Sequence, residues 1–246
     1  LYVGQRVMVF TSSGSYAEKA VADAALTFPI PETMDFDTAG ALLVIGTTAY
    51  NIVNNVAKVK KGDSVLIHAA AGGVGSLAVQ LAKLQGASKI FGTVGRNEKR
   101  NVVKELGADV VINYNEENFA ETINRLTEGR GVNVILDSVA GKVFEQGLTC
   151  LSKRGKLVIF SHAAGKPGFV QTNQLNPSSR TVSGYSMRNN TSEEIRETVN
   201  KIIDLITSNQ LKVLIGKQFS LSEVQKAHQW VESRKSIGKT LIKILD

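Results

Sequence analysis

The fold is decided by one stretch, Val65-Leu-Ile-His-Ala-Ala-Ala-Gly-Gly-Val-Gly75. Residues 64–68 form a short apolar run, which is typical of a strand buried on both faces of a parallel sheet. The glycines follow directly, and apolar residues then recur with helical spacing. These apolar residues are Val74, Leu77, Ala78, Leu81 and Ala82. The stretch therefore predicts a strand, a tight turn and a helix, in that order.

The same alternation continues along the chain. Helices of about ten residues between strands indicate right-handed crossovers and a parallel sheet covered on both faces. We therefore predict an α/β fold, a Rossmann-type doubly wound parallel sheet. Its further strands are expected at residues 89–94, 109–113, 133–137, 156–160 and 181–185, and its helices at 98–106, 118–127 and 142–151.

Both ends of the chain depart from this alternation. Residues 6–10 and 15–18 are expected to form short strands, followed by a loop between Pro29 and Pro31 and a helix that Asp37 caps. After Thr191 we expect a long amphipathic helix, then a strand at 217–221, a helix at 222–233 and a strand at 239–245. We assign residues 1–45 and 211–246 to a partial, mostly β substrate domain, and residues 46–210 to a dinucleotide-binding domain.

Composition limits the function classes. Lys and Arg number 29 against 22 Asp and Glu, a net charge of +7. Because these cations are scattered, a small polyanionic ligand explains the charge as well as nucleic acid does, and we do not expect nucleic acid as a partner. The single cysteine, Cys150, excludes an intramolecular disulfide and a multi-cysteine zinc site. No apolar run approaches the roughly 20 residues that a membrane helix needs. We expect a soluble, cytoplasmic protein.

The glycine-rich turn predicts a pyrophosphate site. In the dinucleotide fingerprint the second glycine lets the backbone approach the phosphates and the third lets helix and strand pack closely. Gly72 and Gly75 occupy those places, while Ala70 stands where the first glycine usually is. The alternative is a glycine-rich turn without function. The residues expected to contact the cofactor here are Ala71, Gly72, Gly73, Val74 and Gly75.

The end of the second strand indicates which dinucleotide binds. An NAD site normally places Asp or Glu there to bind the ribose hydroxyls. This chain has Gly95-Arg96 instead, with Lys99 and Arg100 close behind in the first turn of a helix, where positive charge is unfavourable. A bound 2′-phosphate would neutralise that charge, so we predict NADPH as the cofactor. The alternative is a solvated surface cluster in which Glu98 is the partner of the cations.

Motifs along almost the whole chain resemble the zinc-independent quinone oxidoreductases of the medium-chain dehydrogenase/reductase superfamily. The resemblance implies an NADPH-dependent oxidoreductase that transfers hydride to a quinone or an α,β-unsaturated carbonyl. Two alternatives remain: an enoyl or alkenal reductase on the same fold, and a non-catalytic NADPH-binding protein. The matching motifs are Val3-Gly-Gln-Arg-Val7, Gly14-Ser-Tyr-Ala-Glu18, Gly46-Thr-Thr-Ala-Tyr50, Ala69–Gly75, Asp137-Ser-Val-Ala-Gly141 and Gly238-Lys239.

The resemblance also implies roles for individual residues. Thr48 is expected near the nicotinamide, and Phe160 and Ser161 in the nicotinamide-proximal turn. Gly95 and Lys99 are expected to flank the 2′-phosphate, and Tyr114 to reach the adenosine side. Members of the family commonly form homodimers through the last strand of the sheet, so we expect a homodimer here.

The chain departs from the family pattern on the substrate side, and it differs from the zinc-binding members of the superfamily at the metal ligands. Family members carry further N-terminal residues that form most of the substrate domain. We therefore expect a chain that lacks its natural N-terminus, binds NADPH and turns over poorly, with catalytic residues that remain unknown. Zinc members place a cysteine ligand where this chain has Val44, and the histidines, His68, His162 and His228, lack ligand spacing. No metal is expected.

Overall fold

The computed structural model describes residues 1–244 and divides the chain into two compact units. One unit is Leu1–Thr48 together with the chain from Met187 onward, and the other is Ala49–Ser186. In chain order the elements are β1 (Val7–Val9), β2 (Thr27–Pro29), α1 (Phe36–Tyr50), β3 (Ser64–Ile67), α2 (Gly73–Leu84), β4 (Lys89–Val94), α3 (Arg100–Glu105), β5 (Val110–Asn113), α4 (Phe119–Leu126), β6 (Val132–Asp137), α5 (Gly141–Thr149), β7 (Leu151–Ile159), β8 (Thr181–Gly184), α6 (Ser192–Thr207), β9 (Ile215–Ser220), α7 (Val224–Glu232) and β10 (Lys239–Lys243).

The unit Ala49–Ser186 is built on a six-stranded sheet. Its strands lie in the order β5-β4-β3-β6-β7-β8, and every neighbouring pair is parallel. The order reverses between β3 and β6, which is the topological switch point where sheets of this kind bind their ligands. The predicted Rossmann-type doubly wound sheet is confirmed.

The strands of this sheet are apolar because both of their faces are covered. One face packs into a cluster that includes Leu66, Phe91 and Ile135, together with Phe119 of α4 and Phe144 of α5. The other face lies against α2, whose inward-facing side chains are fully buried. Burial of a large aliphatic side chain contributes about 1.5–3 kcal/mol, so the sheet is a rigid support for the turns at its carboxyl edge.

The other unit contains two small sheets. β1 pairs antiparallel with β2, and β9 pairs in parallel with β10 across α7. Helix α6 belongs to this unit: Ile202 packs against the backbone of Gly46 in α1, where an added Cβ would lie 3.3 Å from the Ile202 side chain. The sequence had placed this helix with the dinucleotide domain.

Two local expectations at the chain ends are wrong, and a third can be compared only in part. Residues 15–18 form no strand, since their side chains are exposed and nothing pairs with them in the described chain; β2 lies instead beside the predicted loop. The residue that caps α1 is Asp35, whose carboxylate accepts from the Thr38 amide at 2.6 Å, while Asp37 pairs with Lys243 and Gln218. The last predicted strand ends at Lys243, and Leu245 lies outside the described residues.

One helical run is long and apolar. α1 continues into a π-helical segment, Asn51–Val56, and the combined run Phe36–Val56 has 21 residues, enough to cross a membrane by length and composition. The sequence analysis had expected no apolar run of that length. However, 67% of its most apolar window is buried inside the fold, as in the core helix of a soluble protein.

Candidate functional site

The turn between β3 and α2 exposes the amino end of a helix. α2 begins at Gly73, and Gly72 precedes it with no side chain that caps the first turn and no acidic residue within that turn. The turn itself is closed by the Gly72 amide, which donates to the Ala69 carbonyl at 2.9 Å. Uncapped amides at a helix amino end, with the favourable helix dipole, form an anion site. The turn can therefore bind phosphate.

Close packing makes glycine necessary at the third position of the fingerprint. A Cβ added at Gly75 would lie 2.4 Å from the Ala69 carbonyl oxygen and 2.8 Å from the Ala70 Cα, both backbone atoms that cannot rotate away. At Gly72 the same test gives 3.2 Å to the Ala69 oxygen, a milder contact. Gly75 thus permits α2 to approach the backbone that follows β3. Gly72 leaves the backbone of the turn accessible.

The alanine at the first position of the fingerprint is accommodated by the neighbouring strand. Ala70 is fully buried, and a Cβ at Gly92 on β4 would lie 2.9 Å from the Ala70 methyl group. The missing side chain at Gly92 therefore provides the space that the Ala70 methyl group needs. No local sequence pattern indicates this compensation, because Ala70 and Gly92 are adjacent only across the sheet.

A tyrosine covers the end of β4. A Cβ at Gly95 would lie 2.5 Å from the Tyr114 hydroxyl, so only glycine lets the ring lie there. The Tyr114 amide donates to the Val94 carbonyl at 3.1 Å, and the Asn115 side chain donates to the Gly95 carbonyl at 2.8 Å. Tyr114 keeps 41% of its surface exposed. The exposed ring can therefore contact a ligand beside Gly95.

The cations after β4 divide into two kinds. Arg100 is held inside the fold: it donates to the Val111 carbonyl at 3.1 Å and pairs with Glu117 at 2.5 Å. Arg96 is exposed and Lys99 is half-buried. Burial, and next the charge of Arg96, lower the pKa of Lys99, whereas Glu98 raises it. The charges of Arg96 and Lys99 therefore repel each other, and an anion close to both would be favourable.

Comparison with known proteins gives a consistent result. The family model described as zinc-binding dehydrogenase matches residues 73–208. Quinone oxidoreductase 1 of Escherichia coli strain K12 is 36% identical over 250 residues, 97% of this chain and 75% of that protein. A 2-haloacrylate reductase of a Burkholderia species is 32% identical over 98% of this chain and 74% of that protein. The crystal structure of Escherichia coli quinone oxidoreductase complexed with NADPH has a TM-score of 0.92 at 35% identity, over 99% of this chain and 76% of that one.

The chain belongs to the quinone oxidoreductase family. It spans about three quarters of the length of the relatives that it matches. The resemblance to the medium-chain dehydrogenase/reductase superfamily that the sequence motifs carry is thereby confirmed.

The turn that family resemblance places beside the nicotinamide is joined to its neighbour by backbone hydrogen bonds. The Phe160 amide donates to the Asp137 carbonyl at 3.0 Å, and the Ala163 and Ala164 amides donate to the carbonyls of Ser138 and Val139 at 3.1 and 2.9 Å. Phe160 is half-buried and Ser161 is exposed. The turns after β6 and β7 therefore form one layer.

The structure brings most of the predicted site residues of this quinone oxidoreductase family member to one edge. Eleven of them lie in the unit Ala49–Ser186, at or after the carboxyl ends of β3, β4, β5 and β7. Thr48 lies in the other unit, on α1, with 8% of its surface exposed. Three polar residues were not predicted as part of this edge, although each ends a run of apolar residues: His68, Thr93 and Asp137.

Possible metal ligands are few in this family member. Among residues 1–244, no group of three or more His, Cys, Asp or Glu side chains could hold a metal ion. Val44, at the position of the zinc-ligating cysteine, is 43% exposed on α1. His68 is fully buried and bonds to Thr93 at 3.0 Å, as a structural histidine does.

Proposed function

We propose that this chain is an NADPH-dependent oxidoreductase that transfers hydride to a quinone or to the β-carbon of an α,β-unsaturated carbonyl, without zinc. The observation that carries the proposal is the turn between β3 and α2, where Gly75 must lack a side chain and the amino end of α2 is uncapped. This turn lies at the topological switch point of the sheet, where dinucleotides bind. A relative with this fold was solved with NADPH.

The pyrophosphate is proposed to lie against the backbone of residues 71–75. Amides at the start of α2 point outward because the helix provides them with no carbonyl partner. Gly72 and Gly73 leave the backbone accessible, and Val74 is half-buried beside them. The two phosphates would replace water on these amides and be stabilised by the helix dipole.

The 2′-phosphate is proposed to lie between Arg96 and Lys99, beside Gly95 and Tyr114. The pKa of Lys99 is lowered mainly by burial and then by the charge of Arg96, so a dianionic phosphate would relieve the repulsion between the two cations. The Tyr114 ring would pack on the adenosine side. Arg100 makes no contribution of this kind, because Glu117 already pairs with it.

The nicotinamide is proposed to lie near the layer that carries Phe160 and Ser161, and the expected role of Thr48, which lies in the other unit, stays a prediction. When bound, NADPH supplies the hydride. Phe160 would exclude water from one side of the ring, and the exposed Ser161 hydroxyl would orient the ring amide. Residues 1–45 and 211–246 are proposed to form part of a domain that binds the acceptor.

The experiment that tests this function has two steps. Fluorescence titration measures the dissociation constants of NADPH and NADH; a charge-assisted contact of about 1.5–3 kcal/mol predicts at least tenfold preference for NADPH. Oxidation of NADPH is then followed with a panel of quinones and enones. Equal affinity for the two cofactors would contradict the 2′-phosphate site.

The acceptor panel also separates the alternatives. The similarity to a 2-haloacrylate reductase favours an activated alkene as a second candidate acceptor. Faster oxidation with enones than with quinones would assign that activity. An oxidation rate that no acceptor raises would instead assign a protein that binds NADPH without turnover.

We also propose a soluble, cytoplasmic homodimer that pairs through β8. This strand is an edge of the sheet and carries no charged residue along Thr181–Gly184. The charge of the neighbouring Arg180 does not prevent pairing at this edge, since its guanidinium donates to the carbonyls of Leu151 and Ser152. Exposed strand edges of this kind pair with a copy of themselves. Sedimentation at tens of micromolar, compared with a Ser183→Pro variant, tests the pairing, and a monomeric unmutated protein would contradict it.

A further inference from the structure

Three polar side chains lie in a single row at the carboxyl edge of adjacent strands of the six-stranded sheet. β3 is in register with β4 on one side and with β6 on the other. The residues that follow Ile67 and its two partners are therefore His68, Thr93 and Asp137. In-register residues of neighbouring parallel strands point to the same face of the sheet. All three are buried, with 2%, 1% and 0% of their surface exposed.

One half of this row connects the turns after β3 and β4. His68 Nδ1 lies 3.0 Å from the Thr93 hydroxyl, and the Thr93 carbonyl accepts from the Ala70 amide at 3.0 Å. The imidazole also packs edge-on against the Phe119 ring, at 4.9 Å between centroids. The proposed pyrophosphate turn and the strand that leads to Gly95 are thus bonded to each other through Thr93.

The other half of the row shapes the turns after β6 and β7. Asp137 Oδ1 accepts from the amides of Val139 and Ala140 at 2.7 and 3.0 Å. Its backbone carbonyl accepts from the Phe160 amide. Ala140 has a left-handed φ of 62°, a conformation that costs free energy for a residue other than glycine. The Asp137 carboxylate therefore holds a strained turn in place.

Each half contains one buried polar atom that makes no hydrogen bond. Neither His68 Nε2 nor Asp137 Oδ2 has a hydrogen-bond partner within the part of the chain that the structure describes. Buried polar atoms without partners are rare and costly. These two are complementary in chemistry, since an imidazole N–H donates and a carboxylate oxygen accepts. They also interact: burial lowers the pKa of His68, and the charge of Asp137 opposes that effect by raising it.

We propose that His68 and Asp137 are positioning residues, a buried pair that couples the adenosine and pyrophosphate turns after β3 and β4 to the nicotinamide-side turns after β6 and β7. The neutral imidazole accepts from the Thr93 hydroxyl at Nδ1, so its proton lies on Nε2, and the charge of Asp137 acts on the ring across the row without a direct hydrogen bond. The inference rests on the proposed function and deepens it, because it names the interaction that keeps the two halves of the cofactor site in register.

Two probes distinguish coupling from simple stabilisation. NADPH occupies all four turns, whereas 2′,5′-ADP carries only the adenosine and phosphate groups. Asp137→Asn keeps an oxygen for the turn amides but removes the charge that faces His68. We expect it to raise the dissociation constant of NADPH about tenfold, since it removes a buried interaction with a charged group. The dissociation constant of 2′,5′-ADP should change by less than about twofold.

The matched control is Asp109→Asn. Asp109 also bonds to a backbone amide of this sheet, that of Ile90 at 2.7 Å, but at the amino edge of β4. It should leave both dissociation constants unchanged. His68→Phe, which keeps a ring against Phe119 and loses the bond to Thr93, should weaken both probes. A ¹⁵N spectrum of the imidazoles should show His68 protonated at Nε2, and in Asp137→Asn the proton should move to Nδ1.

The outcomes distinguish a failure of the proposed function from a failure of the proposed coupling. If the unmutated protein binds neither probe, the proposed function fails. If it binds both, and Asp137→Asn weakens them equally or weakens neither, the coupling is overturned. If Asp137→Asn does not fold, the His68→Phe titrations and the imidazole spectrum decide, and a His68 protonated at Nδ1 in the unmutated protein contradicts the proposal.

Discussion

The turn after β3 and the turn after β4 both face the proposed cofactor, but they are specified in different ways. The first is fixed by contacts between backbone atoms: a Cβ at Gly75 would lie 2.4 Å from a carbonyl oxygen. The second is fixed by charges and side chains, with the mutually repelling charges of Arg96 and Lys99 and with Tyr114 over Gly95. The first turn should therefore decide whether a dinucleotide binds at all, and the second should decide which one.

The largest effect is expected at the turn that backbone contacts specify. Gly75→Ala places a methyl group against the Ala69 carbonyl and the Ala70 Cα, so the turn must open. We expect the free energy of unfolding to fall by about 3 kcal/mol, the upper part of the range for overpacking. Affinity for NADPH and for NADH should be lost together, as measured by fluorescence titration.

A helical glycine in the same unit provides the control for this substitution. A Cβ at Gly147 on α5 would meet its neighbours at 3.5 Å, an ordinary contact. Gly147→Ala should therefore leave cofactor affinity unchanged and stability unchanged or slightly higher. If Gly75→Ala were as harmless as Gly147→Ala, the first turn would not be fixed by backbone contacts.

The second prediction concerns His68, which lies between the two turns. Burial lowers its pKa from 6.5 to about 4, although the charge of Asp137 raises it. Above pH 6.5 the residue is neutral in the folded and the unfolded chain alike, so stability is unaffected. As the pH falls below 6.5, only the unfolded chain takes up a proton, and the folded state loses stability until about pH 4. The loss attributable to His68 amounts to about 3 kcal/mol at most.

Urea unfolding at several pH values measures this loss. His68→Gln removes the titrating group, so the difference between the two proteins isolates its contribution from that of the other ionisable groups. The stability of the variant should fall less steeply between pH 6.5 and 4. Parallel profiles for the two proteins would show that His68 is not buried in the neutral form.

The sequence predicted the first turn better than the second for a physical reason. Strand, glycines and helix follow one another along the chain, so the pattern that fixes Gly75 is local. The role of Gly92 beside Ala70 and the pairing of Arg100 with Glu117 arise only when separate strands come together. Nothing local shows that Arg100, rather than Lys99, bonds to Glu117 and to the Val111 carbonyl.

The same reasoning explains the wrong expectations at the chain ends. Asp35 and Asp37 are both plausible helix caps, and the choice between them depends on Lys243 and Gln218, which are remote in sequence. Residues 15–18 have a strand-like composition but remain exposed. A β-strand needs a partner, and a single sequence does not show which segment provides it.

The third prediction tests the turn that charges specify. Lys99→Ala should raise the dissociation constant of NADPH about tenfold, because a charge-assisted contact to phosphate contributes about 1.5–3 kcal/mol. The dissociation constant of NADH, which has no 2′-phosphate, should stay the same. Arg100→Lys is the matched control: it should lower stability by weakening the link to Glu117 and leave the ratio of the two dissociation constants unaltered. Equal weakening of both cofactors by Lys99→Ala would mean that the lysine supports the fold rather than the phosphate.

The smallest effect is expected at Arg96, and its dependence on salt is the informative part. Arg96 is exposed, so water and ions screen its attraction for a phosphate, and such contacts contribute about 0–1 kcal/mol. Arg96 also repels Lys99 in the free protein, so Arg96→Ala removes an unfavourable interaction along with a favourable one. We therefore expect the dissociation constant of NADPH to rise no more than about fivefold at low salt.

The salt dependence separates the two cations. Since the screening length shrinks to about 3 Å in 1 M salt, the effect of Arg96→Ala should vanish there, while that of replacing the half-buried Lys99 persists. Titrating the two single variants and the double variant at both salt concentrations measures the coupling between the cations. Suppose that Arg96→Ala weakened NADPH binding as much as Lys99→Ala at every salt concentration. The two residues would then contribute equally to phosphate binding, and the distinction between the exposed Arg96 and the half-buried Lys99 would be wrong.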